Sequence, residues 1–329
     1  MANNYFFIGS YVSKNGLYKT LKFIDRFSNE LFNQIQALYH LDSVSIPKIT
    51  TFNPKHDQRL INYDNRSSST VYQLLNDANL YTVNLFHELK LEPNFQGLIW
   101  RNTTISRDVV YDSTHSGCEE EIWIRKRVTS VDKLKTTELL EKLTDEILEI
   151  MNEIFHRLVE ELQIDTNFKF ANFSTLSLKT FYTKFHTLKT DDFLMQKLST
   201  DKLVLLTEIG DSSSRYLEEV DPIFDDLTRK SELLYFYEDI SNIVPIISFS
   251  MLSTYEQTLI ELQQRHVDVE SLTTELELIK HSPDQMSIKI NLSKLLMILL
   301  NKIHIGEVVP GSWPEELYLE AKEKGIHIL

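Results

Sequence analysis

The chain has 329 residues, 42% of them hydrophobic and 25% charged, with a formal net charge of −14. That is ample for a packed core and excludes an intrinsically disordered chain. So acidic a balance argues against nucleic acid or an anionic membrane surface as main partner; the basic run Arg125-Lys126-Arg127 reads as a solvated strand end.

One cysteine, Cys118, admits no internal disulfide, which fits a reducing, cytoplasmic setting. The first residues lack the basic start and long apolar core of a signal peptide. No apolar run approaches the about 20 residues of a membrane span. Glycine and proline number eight each, and neither a low-complexity linker nor a repeat divides the chain. A single domain over 1–329 is expected.

In chain order, apolar residues at Leu17, Leu21, Ile24, Phe27, Leu31, Ile35 and Leu38 predict a helix with one apolar face. Val44 to Pro47 is a short extended piece, where proline ends pairing or marks a sheet edge. Gly97 to Ser106 predicts a strand. Glu119 to Val128 predicts a second, because Ile122 and Ile124 alternate with Glu121, Trp123 and Arg125. Leu139 to Leu162 is a long amphipathic helix that Thr136 or Thr137 can cap. Three runs, Leu203 to Thr207, Leu233 to Tyr237 and Ile243 to Ser248, suit strands buried on both faces. Thr258 to Ile279 reads as mostly helical and Met286 to Ile290 as a strand. Asn291 and Ser293 can cap an apolar helix from Leu295 to Lys302. The expected class is α+β (mixed α/β), a mixed or antiparallel sheet with helices packed on one side.

The most specific stretch runs from Lys294 through His304-Ile-Gly-Glu307 to Ser312-Trp-Pro-Glu-Glu316. Gly97-Leu98, Arg107-Asp108 and Thr114-His115-Ser116 precede it in order. Together with the opening helix and Val44-x-x-Pro47, these segments resemble the ammonia-dependent asparagine synthetase (aspartate–ammonia ligase) family over nearly the whole chain. The resemblance implies the fold of class II aminoacyl-tRNA synthetase catalytic domains, an antiparallel sheet flanked by helices. It also implies a homodimer with the opening helix and Val44–Pro47 at its interface. Family members use ATP and magnesium to adenylate the aspartate side chain. Ammonia then displaces AMP to give asparagine.

Adenylation needs fixed cations at the α-phosphate, carboxylate oxygens for magnesium, and bare backbone beneath adenine and ribose. By resemblance Arg107 is the arginine that holds the α-phosphate. Lys294 replaces a second arginine, and lysine lacks the planar fork. Ser287-Ile-Lys-Ile-Asn291 stands where the family has Gly-Gly-Gly-Ile-Gly. Pro245-Ile-Ile-Ser-Phe-Ser-Met-Leu-Ser253 matches a family strand, with Ser248 at a retained serine beside the nucleotide. There Ile246 replaces a metal-binding glutamate and Ser253 a phosphate-binding arginine. Asp225 and Asp226 remain of an acidic metal motif whose first aspartate is missing. Glu121 and Trp123, with His115 and Ser116, line the expected substrate pocket, where the family's aspartate-reading residues are replaced. Asp57 lies near the family's aspartate that assists amidation.

These substitutions imply little or no ligase activity and a binding or regulatory role, with an amino-acid-like small molecule as ligand. If the chain is a pseudoenzyme it has no cofactor; if it is active, ATP and magnesium are required. The alternative is an active ligase for aspartate or another carboxylate. His304-Ile-Gly-Glu307 resembles the class I synthetase His-Ile-Gly-His, but its place near the C-terminus marks it as structural. Glu119-Glu120-Glu121 is either a cation site or a solvated strand face. Cys118 is either a nucleophile or an inert thiol, with no histidine placed to activate it.

Overall fold

The structure is a computed structural model and describes residues 7, 11–50, 62–64, 71–74, 78–105, 112–129, 135–180, 190–209, 230–264, 269–311 and 313–329. The opening apolar stripe forms α1 (Leu17–Tyr39), which buries Phe23, Phe27, Leu31 and Ile35. His40 ends it in the left-handed conformation, φ 52°. Next come β1 (Asp42–Ser43), β2 (Ile49–Thr50), β3 (Asn62–Asp64), β4 (Val71–Leu74) and α2 (Asn79–Glu88). β5 (Gly97–Ile105) and β6 (Cys118–Arg127) lead into the long α3 (Thr136–Leu162). β7 (Ser174–Ser177), α4 (Thr190–Asp201), β8 (Leu203–Thr207), β9 (Ser231–Tyr237) and β10 (Asn242–Met251) follow. α5 (Tyr255–Gln264), α6 (Thr273–His281), β11 (Gln285–Asn291), α7 (Leu292–Leu299) and α8 (Glu315–Glu323) complete the order.

One eight-stranded sheet runs β1-β5-β6-β11-β10-β9-β8-β7, and a small one runs β2-β4-β3. In the large sheet only the two edge pairs, β1 with β5 and β7 with β8, are parallel. The five inner pairs are antiparallel. Alternation along the strands sends Ile99, Ile122, Ile124, Ile288, Ile290, Ile247, Phe249 and Leu233 to one face. There they form one core with the buried stripes of α1, α3 and α7. Burying one such side chain contributes about 1.5–3 kcal/mol. A one-residue slip would turn all of them to the other side, so the register is strongly fixed.

Among the described residues, apolar clusters cover the opposite face at its two ends. Under β5, Leu98 and Trp100 join Phe86 of α2 and Phe95 in an apolar cluster. Under β8 and β9, Val204, Leu206, Leu234 and Phe236 join Leu178 and Leu198. Between these covers the face carries polar side chains. The expectation of helices on one side therefore holds for the main core, and the sheet's apolar ends recruit helices on the other.

Local details differ from the sequence reading. The long helix starts at Thr136 without a side-chain cap; its cap position is Lys135, whose ammonium pairs with Glu138 at 2.8 Å. The segment 258–279 holds two separate helices, the second preceded by a 3-10 turn at Val269–Leu272. The apolar helix begins at Leu292, three residues early, because the Asn291 side chain accepts from the Lys294 backbone N–H at 2.9 Å. Ser293 Oγ instead accepts from the Glu120 backbone N–H at 2.7 Å.

Proline within β10 has a structural answer. Pro245 cannot donate to the ladder, and the register shifts between Pro245 and Ile247. Ile246 belongs to the main apolar core.

Candidate functional site

Register builds the open face row by row. Trp100 of β5 pairs with Trp123 of β6, Trp123 with Lys289 of β11, Lys289 with Ser248 of β10, and Ser248 with Glu232 of β9. The next row is Asn102, Glu121 and Asn291. Residues from strands about 170 positions apart in the chain thus share one surface, and alternation points them the same way.

Glu121 is the centre of this surface and is only 4% exposed. Its Oε2 accepts from Trp123 Nε1 at 2.7 Å and from Thr104 Oγ1 at 2.8 Å. Its Oε1 lies 3.4 Å from Lys289 Nζ. The Lys289 ammonium also stands 5.6 Å from the centroid of the Trp123 ring, which stacks on Trp100 at 5.8 Å. Burial alone would lower the Lys289 pKa. Glu121, and behind it Glu232 and Glu119, outweigh that and hold it above the ordinary lysine range.

A second group sits beyond Asn291. Asn291 Nδ2 donates to Glu119 Oε2 at 2.7 Å, and Lys294 Nζ lies 3.8 Å from the same oxygen. Lys294 is 7% exposed. At the other end Arg125 is not part of a solvated strand end as the sequence suggests: it is buried, donating to Thr82 Oγ1, Gln285 Oε1 and Asn79 Oδ1. Lys230 pairs with Glu232 at 3.4 Å.

His115 and Ser116 lie in the loop entering β6. Ser116 is buried, and its Oγ accepts from the Cys118 backbone N–H at 3.1 Å. Exposed His115 is held by Asp112, with Nδ1 3.0 Å from Oδ2. Burial would raise the Asp112 carboxyl, but hydrogen bonds from Thr114 and His115 hold it below its usual range. Burial and nearby Glu120 push the Cys118 thiol up, which disfavours the thiolate. Arg107, Asp57, Asp225 and Asp226 lie outside the described residues. Of the residues picked out in the sequence, the structure therefore gathers Glu121, Trp123 and Ser248 in two adjacent rows and places Lys294 beside them. Among the described residues no three His, Cys, Asp or Glu side chains gather as a metal site, and no helix is long and apolar enough to cross a membrane.

The C-terminal motif has a packing task. His304 is fully buried, and its Nδ1 accepts from the Gly306 backbone N–H at 3.0 Å. A Cβ on Gly306 would stand 3.0 Å from Trp313 and from His304, a tight contact that glycine avoids. Glu307 accepts from Tyr11 and Ser13 and pairs with Lys302 at 3.5 Å, both charges almost fully buried. Burial pushes the Lys302 pKa down against the pull of Glu307.

Sequence reasoning passed over Lys289 and Trp100 as site residues. The period-two pattern Ser287, Lys289, Asn291 was available as a signal. Its pairing with Glu119, Glu121 and Trp123 is not a property of either segment alone.

A mostly antiparallel sheet backed by three helices, with rows of polar side chains on its other face, is the catalytic fold of class II aminoacyl-tRNA synthetases. The asparaginyl-tRNA synthetase of Pyrococcus horikoshii, solved with asparaginyl-adenylate, superposes with a TM-score of 0.66 over 89% of this chain and 68% of its own, at 12% identity. Within that class, residues 84–325 match the aspartate–ammonia ligase family, and the chain belongs to it. The aspartate–ammonia ligase of Ligilactobacillus salivarius is 24% identical over 251 residues, 71% of this chain and 70% of the relative. That of Lactobacillus acidophilus is 31% identical over 134 residues, 39% of this chain and 40% of the relative.

Proposed function

We propose that this chain is a family member with little or no ligase activity, whose cleft binds an amino-acid-like small molecule without triphosphate chemistry. One observation carries the reading. The Glu121 carboxylate, at the centre of the cleft, is already satisfied by Thr104, Trp123 and Lys289. A substrate would have to break that arrangement before using it.

ATP and magnesium fit the described residues poorly. Lys289 and Asn291 rise from β11 where the resembled family leaves bare glycine backbone. Ile246, at the resembled metal-binding position, is spent in the core. Lys289, Lys294 and Lys230 each stand beside a carboxylate, Glu121, Glu119 and Glu232, so their charges are offset and give a triphosphate no net positive field. The proposal extends to one domain over 1–329 and to a cytoplasmic homodimer, for which exposed Leu17, Tyr18 and Leu21 on α1 supply an apolar contact.

A second reading, an active ligase for aspartate or another carboxylate, is favoured by Lys294. It is buried, and its closest recorded carboxylate is 3.8 Å away, too far for a strong hydrogen bond, so it can still meet an anion. Incubation of the purified protein with aspartate, ammonium, ATP and magnesium, followed by amino-acid analysis, separates the two. Asparagine at the level of the no-protein control supports the first reading, and steady accumulation supports the second.

A further inference from the structure

The Lys289 side chain lies in the cleft as a ligand would. It crosses the sheet diagonally to Glu121, sets its ammonium over the Trp123 indole, and is backed by a second indole, Trp100. A carboxylate at hydrogen-bonding range and an aromatic face are what a free primary ammonium needs for recognition. Glu232 and Glu119 add negative potential around the same point. Glu121 is fixed in place by two neutral donors, Thr104 and Trp123, so the acceptor is preorganised whether or not a cation is present.

We propose that this pocket is a primary-ammonium site and that Lys289 is its built-in occupant, holding it closed against external amines. A tethered group competes at an effective concentration of about millimolar or above, so a free amine meets an occupied site. Lys289 keeps 37% of its side chain exposed. An amine ligand with further contacts in the cleft would displace it. The inference rests on the reading of a cleft without triphosphate chemistry, and it names the ligand class.

The test is thermal unfolding of Lys289→Ala with n-propylammonium chloride. That substitution removes three methylenes and the ammonium, which is the outline of the probe. Sodium chloride at equal ionic strength and n-propanol are the controls. The variant gains about 3 °C at ten times the probe's Kd, while wild type stays level with its salt control. Adding Glu121→Gln to the variant abolishes the gain. Equal effects of n-propylammonium and sodium chloride on the variant would overturn the proposal, as would an equal gain in wild type. If Lys289→Ala does not fold, Lys289→Met keeps the apolar stem and vacates only the position of the ammonium nitrogen, so ammonium chloride replaces n-propylammonium as the probe; the same gain over the sodium chloride control applies. The assay contains no nucleotide. A silent amine response therefore sinks this inference alone, whereas asparagine synthesis sinks the earlier reading and this inference with it.

Discussion

Glu121 and Lys289 meet 3.4 Å apart across adjacent antiparallel strands, as diagonal neighbours: Glu121 lies opposite Asn291, and Lys289 opposite Trp123. Breaking this relationship from the carboxylate side leaves a cation with weakened compensation. Glu121→Gln is expected to cost about 1–2 kcal/mol, less than a fully buried pair because Lys289 is partly exposed. The raised lysine pKa sets the pH signature. Its stabilisation is fully present below the unfolded lysine value of about 10.4 and is lost as pH rises through the folded value. Urea unfolding at pH 8 and pH 11 checks both: the difference between wild type and variant shrinks at the higher pH.

Buried Lys302 and Glu307 behave differently, because both are almost fully withdrawn from water. Glu307→Ala removes the counter-charge of the ammonium, which keeps Ser13 Oγ and the Lys14 carbonyl as acceptors, and leaves Tyr11 and Ser13 without theirs, costing about 3 kcal/mol. Replacing both charges with methionine removes the unpaired charge but not the lost hydrogen bonds of Tyr11 and Ser13, so it recovers only part of that loss. Chemical denaturation of the single and double variants reads the difference.

His304 makes the fold acid-sensitive. Burial lowers its pKa to about 4, so the folded state resists protonation that the unfolded chain accepts at about 6.5. Stability therefore falls as pH drops from about 6.5 to 4, by up to about 3 kcal/mol. His304→Asn keeps an acceptor for the Gly306 N–H and removes the titration. Its unfolding midpoint should vary less across that window than wild type's.

Much of the architecture was legible because its signals are local. The apolar stripe of α1 gave that helix its bounds, and alternation of Ile122 and Ile124 with Glu121 and Trp123 gave β6 and its polar face. The short edge strands β1 and β7 escaped notice, since two to four residues carry no period and their parallel pairing is set elsewhere in the fold. The cap of α3 was misplaced because both threonines lie inside the helix. In the site, Glu121, Trp123 and Lys294 were readable from motif position. The partnership of Glu121 with Lys289 was not, because it joins β6 to β11 and depends on their register.

Assembly is tested at α1. Leu21 is 45% exposed and Tyr18 73% exposed, neighbours one turn apart on α1. In the homodimer proposed above, Leu21→Glu places a charge in the interface. Light scattering after size exclusion should show twice the chain mass for wild type and a monomer for the variant. A monomeric wild type contradicts the dimer.

Aspartate-dependent exchange of pyrophosphate into ATP bears most directly on the central claim, since it isolates carboxylate activation from the later attack by ammonia. A cleft held by Glu121, Lys289 and Trp123 predicts label incorporation no higher than in the control without protein. Robust exchange that requires both aspartate and magnesium would contradict it.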